Sequence, residues 1–380
     1  PHSVRINVSG PSPFTLSVLA DADAAIYDSR LMRAHASGRD PWAQTWGSTH
    51  SATFAAYYVA TYLPNREIVL AANPGFWRAP YYTRVLIKEV GDAGQRVNDV
   101  LAGTATHTAS LDWGDFATAA DNGPADGVSA TLLQNGPGVI AWHLNVRSGP
   151  LANPLVRQAI NLGIDRTELA SGLPDAGYAT PSVLTIPAAF GQSQPNMLNA
   201  VQARSLMRAA GYPHAIDVTV YTNDTVTGGA SADILSTLYK QLLEIDITLH
   251  VAIVENTDQL LALESSHAIE SSIGVDAPLL GGPAFLVEQD ANAAIDPVSP
   301  AADEGYHSAT LSSTLDQLLD AAPGTGADAL AHQAATTLDT DLATINLVSV
   351  PVQNVTRANV VGYRASTSGV TYYENLRAVG

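Results

Sequence analysis

The chain of 380 residues contains no cysteine and only two lysines, Lys88 and Lys240. Without cysteine, disulfides, cysteine-ligated zinc and thiol nucleophiles are excluded within this chain. The formal net charge is −18, because 36 acidic residues outnumber 18 basic ones. Nucleic acid is therefore excluded as a predicted partner, since binding to phosphates requires clustered cations.

The sequence also lacks long apolar runs and recognisable catalytic motifs. No stretch approaches the roughly 18–20 apolar residues that cross a bilayer, so no transmembrane segment is predicted. No G-x-S-x-G elbow, H-E-x-x-H, phosphate-binding loop, dinucleotide glycine motif or EF-hand loop occurs. We therefore predict no catalytic residues, no cofactor and no metal site.

What is present indicates a globular protein of mixed α/β class. Hydrophobic residues make up 46% of the chain and charged residues 14%. A length of 380 residues exceeds what one core usually sustains, which predicts two lobes. In the first lobe, alternation predicts strands at 4–8, 67–71 and 82–90, and helical spacing predicts a helix at 92–102.

Residues 138–169 contain the clearest local signals. An apolar run from Val139 to Leu144 predicts a strand, followed by a turn at 148–150. Asn153 stands at an N-cap position before Pro154, which predicts a helix start. Asp165 with Glu168 predicts a capping box that opens a second helix, so that two helices fill 154–171.

The second lobe is predicted to contain a parallel strand, helix, strand unit. The hydrophobic period changes from 2 to 3.6 and back across 217–221, 230–244 and 247–254. Further helices are predicted at 199–210, 311–321 and 327–340, followed by a strand at 345–352.

Three segments of the sequence resemble motifs of one protein family. The segment from Asn145 to Arg166 is similar to "N…PF.D.RVRQAINYAIDR". Residues 66–77 resemble "IVLERNPDYW" and residues 203–213 resemble "A..LL.EAGYP", in the expected order. In these motifs the chain resembles extracytoplasmic solute-binding proteins of the peptide, nickel and oligosaccharide class (family 5).

The resemblance implies a type II periplasmic-binding-protein-like fold, with two lobes built from mixed sheets flanked by helices. Residues 1–144 would form part of the first lobe, 145–344 the second lobe, and 345–380 the return to the first. The family's usual N-terminal portion is expected to be missing from this sequence. The implied function is an extracytoplasmic receptor, in the periplasm or as a surface lipoprotein, that closes on a small organic ligand and delivers it to an ABC permease.

Two departures from the family argue against an ordinary free-peptide ligand. Residues 274–286 align with the family's "GW.ADY.DP..FL" loop, whose Asp receives a peptide's α-ammonium group; Pro278 occupies that position and Val275 replaces the Trp. Asp276 is predicted to substitute as the ligand carboxylate, against the alternative of a solvated loop residue. Ala55 stands where the family often has glycine, which predicts a different local loop conformation.

The remaining candidate ligand residues are aromatic or polar side chains near the predicted lobe crossover. On alternation, one of Trp142 and His143 is expected to face the cleft and the other the core, with a core Trp and surface His as the alternative. The full candidate set is Phe54, Tyr57, Trp142, His143, Asn145, Asp276 and Tyr306.

Two further functional hypotheses remain open at this point. An enzyme built on the same scaffold is the second, because a fold does not fix a function. A subunit completed by a separate N-terminal chain is the third. The receptor is preferred because the family motifs occur in order and no catalytic motif does.

Overall fold

The computed structural model describes residues 5–20, 24–109, 111, 113–173, 179–185, 197–223, 231–266, 268–276, 306–364 and 371–379. The chain divides into two compact units. The larger unit comprises Pro1–Ser17, Asp112–Ala117 and Leu132–Val352, and the smaller unit Val18–Leu111, Thr118–Thr131 and Gln353–Gly380. The chain thus changes units at 17/18, 111/112, 117/118, 131/132 and 352/353, whereas the sequence predicted lobe changes at 144/145 and 344/345; the lobe assignment itself stays a prediction.

Helices and strands alternate along the described residues, as expected for a mixed α/β protein. The helices are α1 Thr15–Ala20, α2 Ser29–His35, α3 Gln44–Gly47, α4 Ala93–Leu101, α5 Trp113–Asn122, α6 Pro154–Gly163, α7 Arg166–Gly172, α8 Ala200–Ala209, α9 Ser231–Leu243, α10 Thr257–Ser265, α11 Ala309–Leu319 and α12 Thr325–Asp341. The strands are β1 Tyr57–Leu63, β2 Glu67–Ala72, β3 Arg84–Lys88, β4 His107–Ala109, β5 Val128–Leu144, β6 Thr180–Pro181, β7 Ile216–Thr222, β8 Ile247–Ile253, β9 Ser271–Asp276, β10 Thr344–Arg357, β11 Val360–Val361 and β12 Arg377–Ala378.

The larger unit is organised around a mixed sheet in the order β10, β5, β9, β7, β8, with β6 paired to β10. Strands β7 and β8 are parallel over the full register from Ile216↔Ile247 to Thr222↔Ile253, which confirms the predicted strand, helix, strand unit. Strand β9 is parallel to β7 and antiparallel to β5. Apolar side chains on both faces of β5 are fully buried, as expected for a central strand.

The caps predicted for α6 and α7 are present. The Asn153 side chain accepts from Leu155 N at 3.0 Å, and Pro154 is the first helical residue. Asp165 Oδ1 accepts from Thr167 N and from Glu168 N.

The predicted capping box at Asp165 is wrong in one respect, because Glu168 does not bond back to Asp165 N. That N–H donates instead to Gln241 Oε1 at 3.0 Å, and Gln241 Nε2 donates to Glu168 Oε2 at 2.7 Å. Gln241 lies on α9, so this helix start is completed by tertiary contacts that no local sequence pattern encodes.

A hydrophobic cluster of the larger unit surrounds the contact between α11 and α12. It is built from small and branched side chains, which allow the two helices to approach closely. Its buried members are Phe14, Tyr306, Leu311, Leu315, Leu318, Ala327, Ala331, Ala334, Ala335 and Ala343.

The smaller unit contains an antiparallel sheet in the order β1, β2, β3, together with the pairing of β4 to the last residues of β10. Strand β2 and helix α4 confirm the predictions at 67–71 and 92–102, and β3 lies within the predicted 82–90.

The strand predicted at 4–8 is wrong for the residues that the structure describes. Residues 5–8 form no strand, and Ile6 and Val8 are 53% and 56% exposed. Alternating side chains create only the possibility of a buried face, and a strand also requires a neighbouring backbone.

Candidate functional site

The strand order of the larger unit defines a topological switch point between β7 and β9. From β7 the chain passes through α9 to β8 on one side, and then through α10 to β9 on the other side of β7. Because β7, β8 and β9 are parallel, their carboxyl ends lie at the same edge of the sheet. In open α/β sheets, ligands bind outside this edge at the switch point. We call the residues Thr222, Asn223, Glu255, Asn256 and Asp276 the carboxyl edge.

Buried polar side chains join the two strands at the switch point. Thr222 is fully buried, and its Oγ1 donates to the carbonyl of Ile273 on β9 at 3.0 Å. Its own carbonyl accepts from Val254 N at 2.9 Å, which ties β7 to the residue that follows β8. Asn223, the next residue, is 2% exposed. The backbone at this edge is therefore fixed on three strands.

The loop after β8 is held by reciprocal bonds to α10. Asn256 caps this helix through Oδ1, which accepts from Gln259 N at 2.9 Å, while Glu255 N donates to Gln259 Oε1 at 2.9 Å. Glu255 is exposed. The edge therefore presents the Glu255 carboxylate on a residue whose own N–H already donates to Gln259, an arrangement that suits a ligand with hydrogen-bond donors or positive charge.

Asp276 is the last residue of β9, and its backbone pairs with Val139 of β5. Its backbone therefore lies at the carboxyl edge, and its role as the ligand carboxylate stays a prediction. Pro278 and residues 277–286 of the family-like loop lie outside the described residues.

Asn145 lies at the opposite end of the same sheet. Leu144 pairs with Ser271 while Val139 pairs with Asp276, so Asn145 and Asp276 are separated by about 20 Å at about 3.3 Å per residue. The Asn145 amide donates to Ile269 O at 2.9 Å and its Oδ1 accepts from Arg147 N at 3.0 Å. These bonds give Asn145 a structural role in the turn after β5.

A small open groove surrounds Asn145 at that end. It is lined by Asn145, Ser148, Gly149, Ala268, Ile269 and Glu270. The one acidic side chain in this lining, Glu270, accepts from Thr219 N at 2.8 Å. The groove is therefore walled mainly by groups that already have partners within the fold.

Trp142 and His143 are both buried, at 0% and 8% exposure. The expectation that one of them is exposed is wrong, because β5 is central and both of its faces are covered. His143 Nδ1 lies 3.4 Å from Thr344 Oγ1 on β10. Trp142 Nε1 has no hydrogen-bond partner within the described structure. The Trp142 ring thus has no open face for stacking, which agrees with the core Trp of the alternative, whereas the surface His of that alternative is wrong because His143 is buried.

Tyr306 has a structural environment in the α11 and α12 cluster. Its hydroxyl donates to Asp341 Oδ2 in a short hydrogen bond, and burial raises the pKa of Tyr306 well above its usual value. Arg157 Nε donates to the carbonyl of the same Asp341 at 2.9 Å. These contacts hold Tyr306 in the core rather than at the carboxyl edge.

Phe54 and Tyr57 belong to the smaller unit. Phe54 is 66% exposed and its ring centroid lies 6.1 Å from that of Phe76. Tyr57 is buried and its hydroxyl donates to Tyr82 O at 2.9 Å, and burial raises its pKa. Ala55 has no positive φ, so alanine fits this loop where the family often has glycine.

The structure thus brings one predicted ligand residue, Asp276, to the carboxyl edge. Asn223 and Glu255 were missed by the sequence analysis. Asn223 directly follows β7, and Glu255 follows β8 after Val254. A search of the residues after the carboxyl ends of the predicted parallel strands would therefore have found both.

No metal or membrane site emerges within the described ranges. No three histidine or acidic side chains there are grouped closely enough to share a metal ion. Nor does any helix described there combine the length and apolar character needed to span a bilayer.

Solved structures of periplasmic binding proteins share this fold. One is the ABC transporter-associated periplasmic binding protein DppA from Helicobacter pylori in complex with the peptide STSA, with a TM-score of 0.80, 17% identity, and coverage of 97% of this chain and 71% of that one. Another is the dipeptide binding protein from Pseudoalteromonas sp. SM9913 in complex with Met-Leu, with a TM-score of 0.81, 14% identity, and coverage of 99% and 75%. The chain has the two-lobed periplasmic-binding-protein fold that its sequence predicted.

Sequence comparison defines the family. Residues 1–276 match the model of bacterial extracellular solute-binding proteins, family 5 (middle region). The glutathione-binding protein GsiB of Salmonella choleraesuis (strain SC-B67) is 24% identical over 279 residues, which are 72% of this chain and 51% of GsiB. The chain belongs to the family 5 solute-binding proteins, and it spans about half the length of the curated relatives it matches.

Proposed function

We propose that this chain is the solute-binding part of an extracytoplasmic receptor that holds a small organic ligand and delivers it to an ABC permease. Membership of the solute-binding family is the observation that carries the proposal. Proteins similar to this chain are named for binding glutathione or dipeptides, so a small organic ligand is the class that fits. A lipid anchor and a separate chain that completes the first lobe stay predictions.

The ligand is proposed to contact the carboxyl edge of the larger unit, with Asp276 and Glu255 as its acidic groups. Asp276 ends β9, and Glu255 follows β8 after Val254; these two strands flank β7, which ends at the buried Thr222 and is followed by the buried Asn223. A carboxylate at such an edge favours a ligand with an ammonium or another cationic donor. Since Pro278 replaces the acidic residue that receives a peptide's α-ammonium group in relatives, we propose that free peptides are not the principal ligands.

Binding can be tested with the purified chain and a panel of probes. The panel contains dipeptides, tripeptides, glutathione, amino acids, polyamines and oligosaccharides, and thermal unfolding is followed with each. A ligand that binds only the folded state stabilises it by about 2.7 kcal/mol at a concentration of 100 times its Kd.

The expected result is stabilisation that saturates with one or more small non-peptide solutes and is weaker with free peptides. Stabilisation by free peptides alone would contradict the proposed ligand class. If no probe shifts the transition and incubation instead converts one of them chemically, the receptor proposal fails and the enzyme hypothesis replaces it.

A further inference from the structure

Strand β8 forms one edge of the sheet in the larger unit. Within the described ranges, β7 is the strand paired to it, and the seven-residue register between them is uninterrupted. The strand contains no proline, lysine or bulge. These are among the features by which proteins prevent edge strands from pairing, and the described strand contains none of them.

The sequence of β8, Ile-Thr-Leu-His-Val-Ala-Ile, is close to a palindrome centred on His250. In a two-fold antiparallel pairing centred there, Ile247 faces Ile253 of a second copy and Leu249 faces Val251. The other face pairs Thr248 with Ala252 and places the two copies of His250 opposite each other. This register pairs all seven residues, and on the first face each isoleucine, leucine or valine meets an apolar side chain of similar size.

In the same register, the exposed apolar residues of one β8 strand lie opposite the buried ones of the other. Ile247 and Leu249 are buried, whereas Val251 and Ile253 are 45% and 67% exposed. Each exposed residue of one copy therefore lies opposite a residue that is already packed in the other. A partner strand in this register would cover the apolar surface that β8 leaves exposed.

Helix α9 supplies a second apolar surface beside this edge. It packs against β8 and leaves Tyr239 and Leu243 exposed at 41% and 45%, one helical turn apart. A two-fold axis perpendicular to the sheet brings the α9 helices of both copies to the same face. The exposed apolar residues of α9 and β8 thus belong to one packed pair of helix and strand.

We propose that two copies of this chain associate through antiparallel pairing of their β8 strands, centred on His250. The interface is isologous, because the same seven residues contribute from both copies. Its small size places it among weak interfaces, so we expect a dimer that forms at about tens of micromolar protein. This inference is independent of the proposed ligand.

The absence of cysteine from the chain allows a direct test by site-specific cross-linking. In the proposed register, His250→Cys places the two sulfur-bearing residues directly opposite each other, at a Cα separation that a disulfide can bridge. Thr248→Cys is the matched control, because its two copies are displaced by four residues along the strands, about 13 Å. His250 is exposed and pairs with the exposed Asp217, so its replacement spares the core.

Mild oxidation at 100 μM protein is expected to link His250→Cys into a disulfide dimer at least about ten times faster than Thr248→Cys. Equal rates, or no dimer with either variant, would overturn the proposal. Sedimentation equilibrium supplies a second measurement without cysteine. The double variant Val251→Lys, Ile253→Lys should weaken the wild-type dimer at least about tenfold, whereas Val201→Lys, at a 73% exposed site on α8, should not. Equal weakening by both, or a wild-type monomer at this concentration, would also overturn it.

Discussion

His107 of the smaller unit should make the protein sensitive to acid. Its ring lies 4.5 Å from that of Tyr363, centroid to centroid, and Nε2 is buried without a hydrogen-bond partner in the described structure. Burial lowers the pKa of His107 from 6.5 to about 4, because the charged imidazolium loses solvation, while the contact with Asn354 opposes this shift.

The sign follows from proton binding in the two states. Below pH 6.5 the unfolded chain takes up a proton at His107, whereas the folded chain does not until the pH approaches 4. Stability is therefore fully present above pH 6.5 and is lost as the pH falls. Two pKa values of 6.5 and 4 give a loss of about 2.5 kcal/mol at pH 4.5 from this residue.

The measurement is urea unfolding of wild type, His107→Phe and the control His214→Phe at pH 7 and pH 4.5. Phenylalanine keeps a ring beside Tyr363 but cannot be protonated, whereas His214 is exposed. His107→Phe should remove about 2 kcal/mol of the acid-induced loss in unfolding free energy, and His214→Phe should leave the loss unchanged. An equal loss in wild type and His107→Phe would refute the reasoning.

Two structural residues give further predictions. Arg166 is 4% exposed and its Nε donates to the carbonyls of Ser182 at 3.0 Å and Asn346 at 2.7 Å, so Arg166→Lys should lower the unfolding free energy by about 3 kcal/mol because one ammonium cannot serve the same acceptors. Gly362 has a φ of +87°, and an added Cβ would collide with the backbone carbonyl oxygen of Asn375, so Gly362→Ala should cost about 3 kcal/mol through strain and this collision.

Chemical denaturation of matched controls checks both predictions. Arg204 is partly exposed and donates to the carbonyl of Glu244, so Arg204→Lys should change the unfolding free energy by less than about 0.5 kcal/mol. Gly103 has a φ of +75° with open space around its Cβ position, so Gly103→Ala isolates the conformational strain and should cost about 1 kcal/mol. Equal losses in a variant and its control would contradict the assigned contacts.

Local features of this fold were predictable from sequence, because their causes lie within a few residues. Asn153 and Pro154 start α6, and both bonds of the Asp165 cap reach residues of the same helix. The reciprocal bond from Gln241 was not predictable, because it depends on how α9 packs against α7.

The candidate site required knowledge of topology. Asn145 and Asp276 were assigned to one site because both adjoin family motifs, but the antiparallel register of β5 and β9 separates them to opposite ends of the sheet. Trp142 was a candidate ligand residue because a large aromatic side chain can serve a core or a pocket equally well. The neighbours that bury it come from distant parts of the chain.

The carboxyl-edge proposal is tested most directly by comparing two aspartates on the same sheet. Asp276 ends β9 at the carboxyl edge, whereas Asp217 lies near the amino end of β7 and pairs with His250. Asn replaces Asp in both variants, so each loses the same charge at nearly constant side-chain volume. The probe is the non-peptide amine from the panel that stabilises the wild type most strongly.

Isothermal titration should show about 10- to 100-fold weaker binding to Asp276→Asn, the usual consequence of losing a charge-assisted hydrogen bond of about 1.5–3 kcal/mol. Asp217→Asn should keep the wild-type affinity. Unchanged affinity in Asp276→Asn, or an equal loss in both variants, would contradict a ligand site at the carboxyl ends of β7 and β9.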